Sequence, residues 1–443
     1  MPWQASAEGS VWYYCVLVRS GNAEQSRRVA TDPLDAGRYP CAGPSYLERL
    51  GVLYLDEIRL TIVMELYMRE MGVMQFYETF GGSSKDSVRR HFKKLVEYGW
   101  LRWVRDAPSG QKGRPEGLYR ATEQAVIDTE TWRRLPTSVR DVFTVMVLEE
   151  LGDRLGESLK DGSADARADR VASFKTMAVD ELAWRKASEA VEDCFRALQQ
   201  EQIDAKIRLS RSQSRPLLMI VNLAAFETAG LNVDPDKVLP KAEEGSPAPS
   251  WPLRIGKVFT DDLNLAIVDE LNHAAMTPAQ LHATLGGATS TTFLRKCKRL
   301  AKLGWAVDVD MKTGGRLHGA NLYQFRAAAP NISESDIFKG IPASAQSGQS
   351  WNAIQPFITT SLSAIDAGTF NKRFDRHLSL SPLLVDEIGW AQVNQVLRAF
   401  EETLSDIEAS LAQRTVFRGG PPKGFSAAFL AACFQSSLRD IRQ

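Results

Sequence analysis

A chain of 443 residues, 44% apolar and 24% charged, has the makeup of a globular protein with room for two to four domains. Its 54 Lys and Arg balance 54 Asp and Glu, so the chain as a whole is no basic nucleic-acid coat. No apolar run approaches the roughly 18 residues of a membrane span; five cysteines without a CxxC pair, and a start lacking a basic stretch before an apolar core, predict a cytoplasmic protein with no signal peptide and no membrane partner.

Residues 1–45 hold the apolar run VWYYCVLV and a polar, Pro- and Gly-containing stretch, an N-terminal extension with no assigned role. From 46 to 122 the pattern changes. Leu60, Ile62, Val63 and Leu66 give a first helix its apolar stripe. Gly81-Gly82 stops a short helix and turns the chain, and Ser84 caps a second, basic helix that ends at Gly99-Trp100. LRWVRD, a Gly-rich basic tip and LYRAT then predict a β-hairpin. Helix, tight turn, basic helix and hairpin read as a winged helix-turn-helix.

Residues 123–230 predict a first helical module, with VRDVFTVMVLEELGDRLGESL at helical spacing and a long helix over roughly 179–209 capped by Asp180. Residues 231–256 carry five prolines, predicting an extended, exposed linker. Then the order repeats. Residues 264–305 align with 59–100 without a gap, about fifteen of about forty-two positions being identical. Gly286-Gly287, the cap Thr289 and Gly304-Trp305 all recur, and Leu322-Tyr323 repeats Leu118-Tyr119 in the return strand, so 257–326 predicts a second winged helix. In the second helical module, 327–443, DRHLSLSPLLVDEIGW repeats DRVASFKTMAVDELAW and opens a long helix over roughly 385–414 capped by Asp386. Trp390, Val393, Leu397, Phe400, Leu404, Ile407 and Leu411 form a heptad seam there, long enough to pair with one other helix. The first long helix keeps that seam to Leu198 and breaks it at Glu201. The expected fold class is mainly α with small β-hairpin wings: two winged helix-turn-helix domains, each followed by a long-helix dimerisation-type module, arranged as an intramolecular pseudo-dimer.

Charge is distributed unevenly. From Ser84 to Arg120 ten Lys and Arg face four acids, and from Thr289 to Phe325 seven face two. On the first basic helix Val88, Phe92 and Leu95 mark the buried side, leaving Asp86, Ser87, Arg90, Lys93, Lys94 and Glu97 outward; on the second, Phe293, Cys297 and Leu300 are buried and Thr292, Arg295, Lys298 and Arg299 face out. An α-helix fits the major groove, where Arg reads guanine and the lysines hold phosphates. At the hairpin tips Lys112, Arg114, Lys312 and Arg316 are placed to reach the flanking backbone or minor groove. A solvated outer face would explain one basic helix, but less readily three cations at matching positions of two. His91 reads as a packed side chain, and Cys194, Cys297 and Cys433 as small core residues. No catalytic motif, phosphate loop or metal-ligand spacing occurs, so neither an enzyme nor a cofactor or metal is expected.

With its Asp386, Glu387, Gly389, Trp390 and Ala412-Gln413-Arg414 ending, the chain resembles the bacterial ArsR-like winged-helix transcriptional regulators common in actinobacteria. The likeness spans most of 46–226 and 257–435; the first half keeps Asp180, Glu181 and Trp184 but has Ala183 in place of the glycine. It implies transcription regulation through double-stranded DNA. The metal sensing of the founding branch does not carry over, because its cysteine pair is missing. Family members usually act as homodimers, so the tandem chain is expected to be a monomeric pseudo-dimer or a homodimer through the long helices, with room for an unidentified small-molecule effector. The alternative is a winged-helix scaffold for protein partners with reduced or lost DNA binding.

Overall fold

The computed structural model describes residues 46–68, 70–81, 84–106, 116–122, 129–211, 216–229, 239–242, 251–309, 323–330, 337, 341, 348–418 and 424–436. The chain is mainly helical with small antiparallel sheets. In the first half come α1 (Tyr46–Tyr54), α2 (Glu57–Met68), α3 (Val73–Phe80), α4 (Lys85–Glu97), β1 (Leu101–Asp106), β2 (Gly117–Ala121), α5 (Thr129–Arg134), α6 (Thr137–Lys160), β3 (Ala172–Val179), α7 (Glu181–Arg211) and β4 (Leu217–Glu227). The second half follows with α8 (Trp251–Phe259), α9 (Asp262–His273), α10 (Pro278–Leu285), α11 (Ser290–Lys302), β5 (Ala306–Asp308), β6 (Phe325–Ala327), α12 (Gln349–Asp366), β7 (His377–Val385), α13 (Glu387–Arg418) and β8 (Phe425–Ser436).

Two expectations need correction. The segments read as purely helical modules each contain two strands, and the four form one antiparallel sheet in the order β3-β8-β4-β7. Three of them, β4, β7 and β8, are buried on both faces, which hides them from periodicity. Along β4, Leu218, Ile220, Ala224 and Phe226 join the core shared with α6 and α12, whereas Met219, Val221, Leu223 and Ala225 join the core under α7 and α13. Such a strand is a continuous apolar run without alternation, and periodicity does not separate it from a buried helix. The second correction concerns the linker. Residues Trp251–Phe259 are helical, with Ile255, Val258 and Phe259 buried. Pro252 sits in the first turn, where its missing N–H costs no helical bond.

Strands of the two halves alternate in the sheet. β8 lies between β3 and β4, and β4 lies between β8 and β7, so neither half pairs its own strands. The duplicated DR…VDE…W motif supplies matching contacts across the halves. Trp184 Nε1 donates to Asp375 Oδ2 at 2.8 Å, and Trp390 Nε1 to Asp169 Oδ2 at 3.0 Å. Arg373 stacks on Trp184 and pairs with Glu181, as Arg167 stacks on Trp390 and pairs with Glu387. Arg208 reaches Asp386 and Arg414 reaches Asp180, each aspartate also capping a long helix by accepting from Gly389 N or Ala183 N at 2.8 Å. Glu201, read as a break in the first seam, is buried against α13 and paired with Arg208, and Ala205 continues the seam.

The end helices α1 and α8 also cross closely. A Cβ built on Gly256 would lie 2.6 Å from Leu55 N, and one on Gly51 2.9 Å from Thr260 N. Beneath them Phe143 of α6 touches Tyr54 and Phe259, with ring centroids 5.6 and 6.0 Å apart. The helical units at 46–122 and 251–330 are thereby seated on one another and on α6, whose first turn also takes Asn272 from α9.

Candidate nucleic-acid interface

Each basic helix is set by a cap, a glycine stop and an apolar seam. Ser84 accepts from Ser87 N at 3.1 Å, and Thr289 from Thr292 N at 3.3 Å. The short helices before them end at Gly81 (φ 74°) and Gly286 (φ 62°), a left-handed conformation that a side chain rarely adopts. At the far ends Trp100 N donates to Leu95 O and Trp305 N to Leu300 O, with Gly99 and Gly304 at positive φ. The two tryptophans are fully buried and donate Nε1 to Arg49 O and Arg254 O. The guanidiniums of those arginines meet the carbonyls of Gly99 and Gly304, where the helix dipole favours a cation.

Val88, Phe92 and Leu95 of α4, and Phe293, Cys297 and Leu300 of α11, are buried. The opposite faces are wet. Arg90 and Lys93 are exposed and form no ion pair among the described residues; Lys94 is half-buried, 3.3 Å from Glu97 and 4.5 Å from the Tyr98 ring centroid. Ser87 is half-buried, its Oγ 3.4 Å from His91 Nε2. On α11, Arg295, Lys298 and Arg299 are exposed, with Lys298 Nζ 4.1 Å from the Tyr323 ring centroid, and Thr292 is half-buried beside its cap. Lys302, which sequence reasoning missed, is exposed and extends this row to i, i+3, i+4 and i+7 from Arg295. The helical spacing could have found it. Lys112, Arg114, Lys312 and Arg316 lie outside the described residues.

Behind each basic helix a second tie fixes its angle to the first helix of the unit. His91 lies between Asp56 (3.6 Å), Arg59 (3.4 Å) and Ser87. Burial lowers its pKa, with Arg59 and Arg90 adding to the effect against the pull of Asp56. In the second half Lys296 stands at this place, paired with Asp261 and 3.2 Å from Asn264. Asp56 and Asp261 each also accept from the backbone two residues on, Ile58 N and Leu263 N.

The hairpins pack against the same units. β1 pairs with β2, and β5 with β6, all antiparallel. Met71 bridges Tyr119, and Met276 bridges Phe325. Phe325 therefore takes the place of Tyr119, correcting the expectation that Leu322-Tyr323 repeats Leu118-Tyr119; the return strand is two residues out of register with the motif.

Among the described residues no group of three His, Cys, Asp or Glu could hold a metal. Cys194, Cys297 and Cys433 are buried, and burial pushes each thiol up to about 12. A groove of about 610 Å³ runs between α7 and α13, with Ala190, Cys194, Val396, Phe400 and Ile407 in its walls. No helix among the described residues is long and apolar enough to cross a membrane. No protein-family model, curated protein or solved structure matches this chain.

Proposed function

We propose that this protein is a bacterial, cytoplasmic transcription regulator that binds double-stranded DNA through α4 and α11, two recognition helices of winged helix-turn-helix units. The observation that carries the reading is the pair of capped helices, each following a glycine turn, with Arg90 and Lys93 on one and Arg295, Lys298 and Arg299 on the other exposed and in no ion pair among the described residues. A helix N-terminal half with an exposed Arg suits guanine in the major groove, and the following cations suit phosphates. The ArsR-like resemblance gives the same function.

The reciprocal contacts of Arg208 with Asp386 and of Arg414 with Asp180, and the alternating strands of the sheet, support an intramolecular pseudo-dimer in place of the family's homodimer. One chain then presents two recognition helices to two half-sites about one helical turn apart, roughly 34 Å. The scaffold alternative draws on the internal pairs Arg89–Asp86 and Lys94–Glu97, which use up part of the charge on α4.

The test is fluorescence anisotropy with random-sequence duplex across a salt series, for the native chain and the Arg90→Glu/Arg295→Glu double variant. The reading expects affinity that falls steeply with salt and is abolished by the double reversal. Weak, salt-insensitive binding that the double reversal leaves alone would favour the scaffold.

A further inference from the structure

The two basic helices differ along the stripe that faces outward. On α11 it is Arg295, Lys298, Arg299 and Lys302, four cations without an acid. The same positions on α4 are Arg90, Lys93, Lys94 and Glu97, and there Lys94 Nζ lies 3.3 Å from Glu97 Oε2. An acid also stands at the start of α4, where Asp86 pairs with Arg89 at 3.3 Å and the residue in the same place on α11 is Thr291. Formal charge along the stripe is thus +4 on α11 against +2 on α4, counting three cations and one acid for the latter.

Resting on the DNA-binding reading above, we propose that the second half is the principal anchor on the DNA backbone, and that Glu97 restrains the first half by sequestering Lys94 and repelling phosphate. A phosphate oxygen competes for Lys94 with a carboxylate already three residues away on the same helix. Arg299 has no such competitor, because its i+3 neighbour is Lys302. The division concerns backbone contacts, which set affinity and salt dependence in any sequence. It makes the two half-sites unequal in strength before any base is read.

Reciprocal exchange at these two exposed positions tests the proposal in the full-length chain, with random-sequence duplex as the probe and anisotropy from 50 to 200 mM salt. Each phosphate contact contributes about 0.9 to the slope of log affinity against log salt. Glu97→Lys adds one cation and releases Lys94, about two contacts, so affinity falls about tenfold further across this salt range than in the native chain. Lys302→Glu removes one cation and engages Arg299, so the fall is about tenfold shallower. If the native chain binds with a steep salt dependence and neither exchange moves the slope, the inequality is overturned while DNA binding stands. If the native chain shows no salt-dependent binding, the DNA reading itself fails and this proposal fails with it. Opposite shifts of similar size in the two variants support it.

Discussion

Replacing Gly256 by alanine tests the seating of the two halves by the sign of its effect. In an ordinary helix, glycine to alanine stabilises by roughly 0.5–1 kcal/mol, because the backbone loses less entropy on folding. Here the new methyl would lie 2.6 Å from Leu55 N and 2.9 Å from both Leu55 Cα and Tyr54 C. All three are backbone atoms, so no side chain can rotate away, and α1 and α8 must separate. That movement loosens Leu50, Leu53, Tyr54, Ile255, Val258 and Phe259, all buried in the same core as Phe143, which Tyr54 and Phe259 touch. Overpacking of this kind costs about 1–3 kcal/mol, which exceeds the helical gain. Urea unfolding of Gly256→Ala should show a lower midpoint with an unchanged slope. Gly51→Ala should act in the same direction, and the double variant should cost less than the sum because both methyls force one gap. A midpoint that rises in Gly256→Ala would refute the close crossing of α1 and α8.

Three further outcomes follow from named contacts. Arg208→Met removes the partner of Asp386, a carboxylate only 4% exposed, and should destabilise by about 3 kcal/mol. The Arg208 hydrogen bonds hold Asp386 below the usual carboxylate range, so its contribution is present above the unfolded pKa and lost as pH falls through the folded one; pH-dependent unfolding should show a weakened acid-side loss in the variant. Burial instead raises Asp141 to about 6 and Glu150 to about 7. Their contributions are complete below about pH 4 and lost as pH rises through those values, so Asp141→Asn and Glu150→Gln should each flatten the decline of stability above pH 4, by up to about 3 kcal/mol per group. Finally, residues 46–242 and 251–443 produced as two chains should co-purify, because β8 must enter between β3 and β4; fragments that fold and stay apart would contradict the interleaved sheet.

The sequence made the amphipathic helices legible and left the sheet hidden. Helix α11 buries one side only, so Phe293, Cys297 and Leu300 recur at helical spacing, and Thr289 and Gly304 mark its ends. The long helices were visible for the same reason, through Trp390, Val393 and Leu397. FSAAFLAACFQS of β8 is buried on both faces and has no period to read, and its neighbours in the sheet lie far away in sequence. The DR…VDE…W motif was visible as a repeat, but that Asp169 serves Trp390 and Asp375 serves Trp184 depends on how the halves exchange strands. Helix α8 was lost to Pro252, which looked like linker and is the first turn of a helix. At the candidate site the outward cations were legible from the helical wheel. The neutralising pair Lys94–Glu97 became decisive only when their distance was known.

The central claim is one chain on two adjacent half-sites. Its most direct test is hydroxyl-radical footprinting of a DNA selected from a random pool, in a complex whose mass is measured by sedimentation. The account predicts one chain per duplex, protecting two patches on one face of the DNA about one helical turn apart, with the patch under α11 the stronger. Two chains protecting four patches would contradict the pseudo-dimer, and a selection that enriches no sequence and leaves no footprint would contradict the regulator.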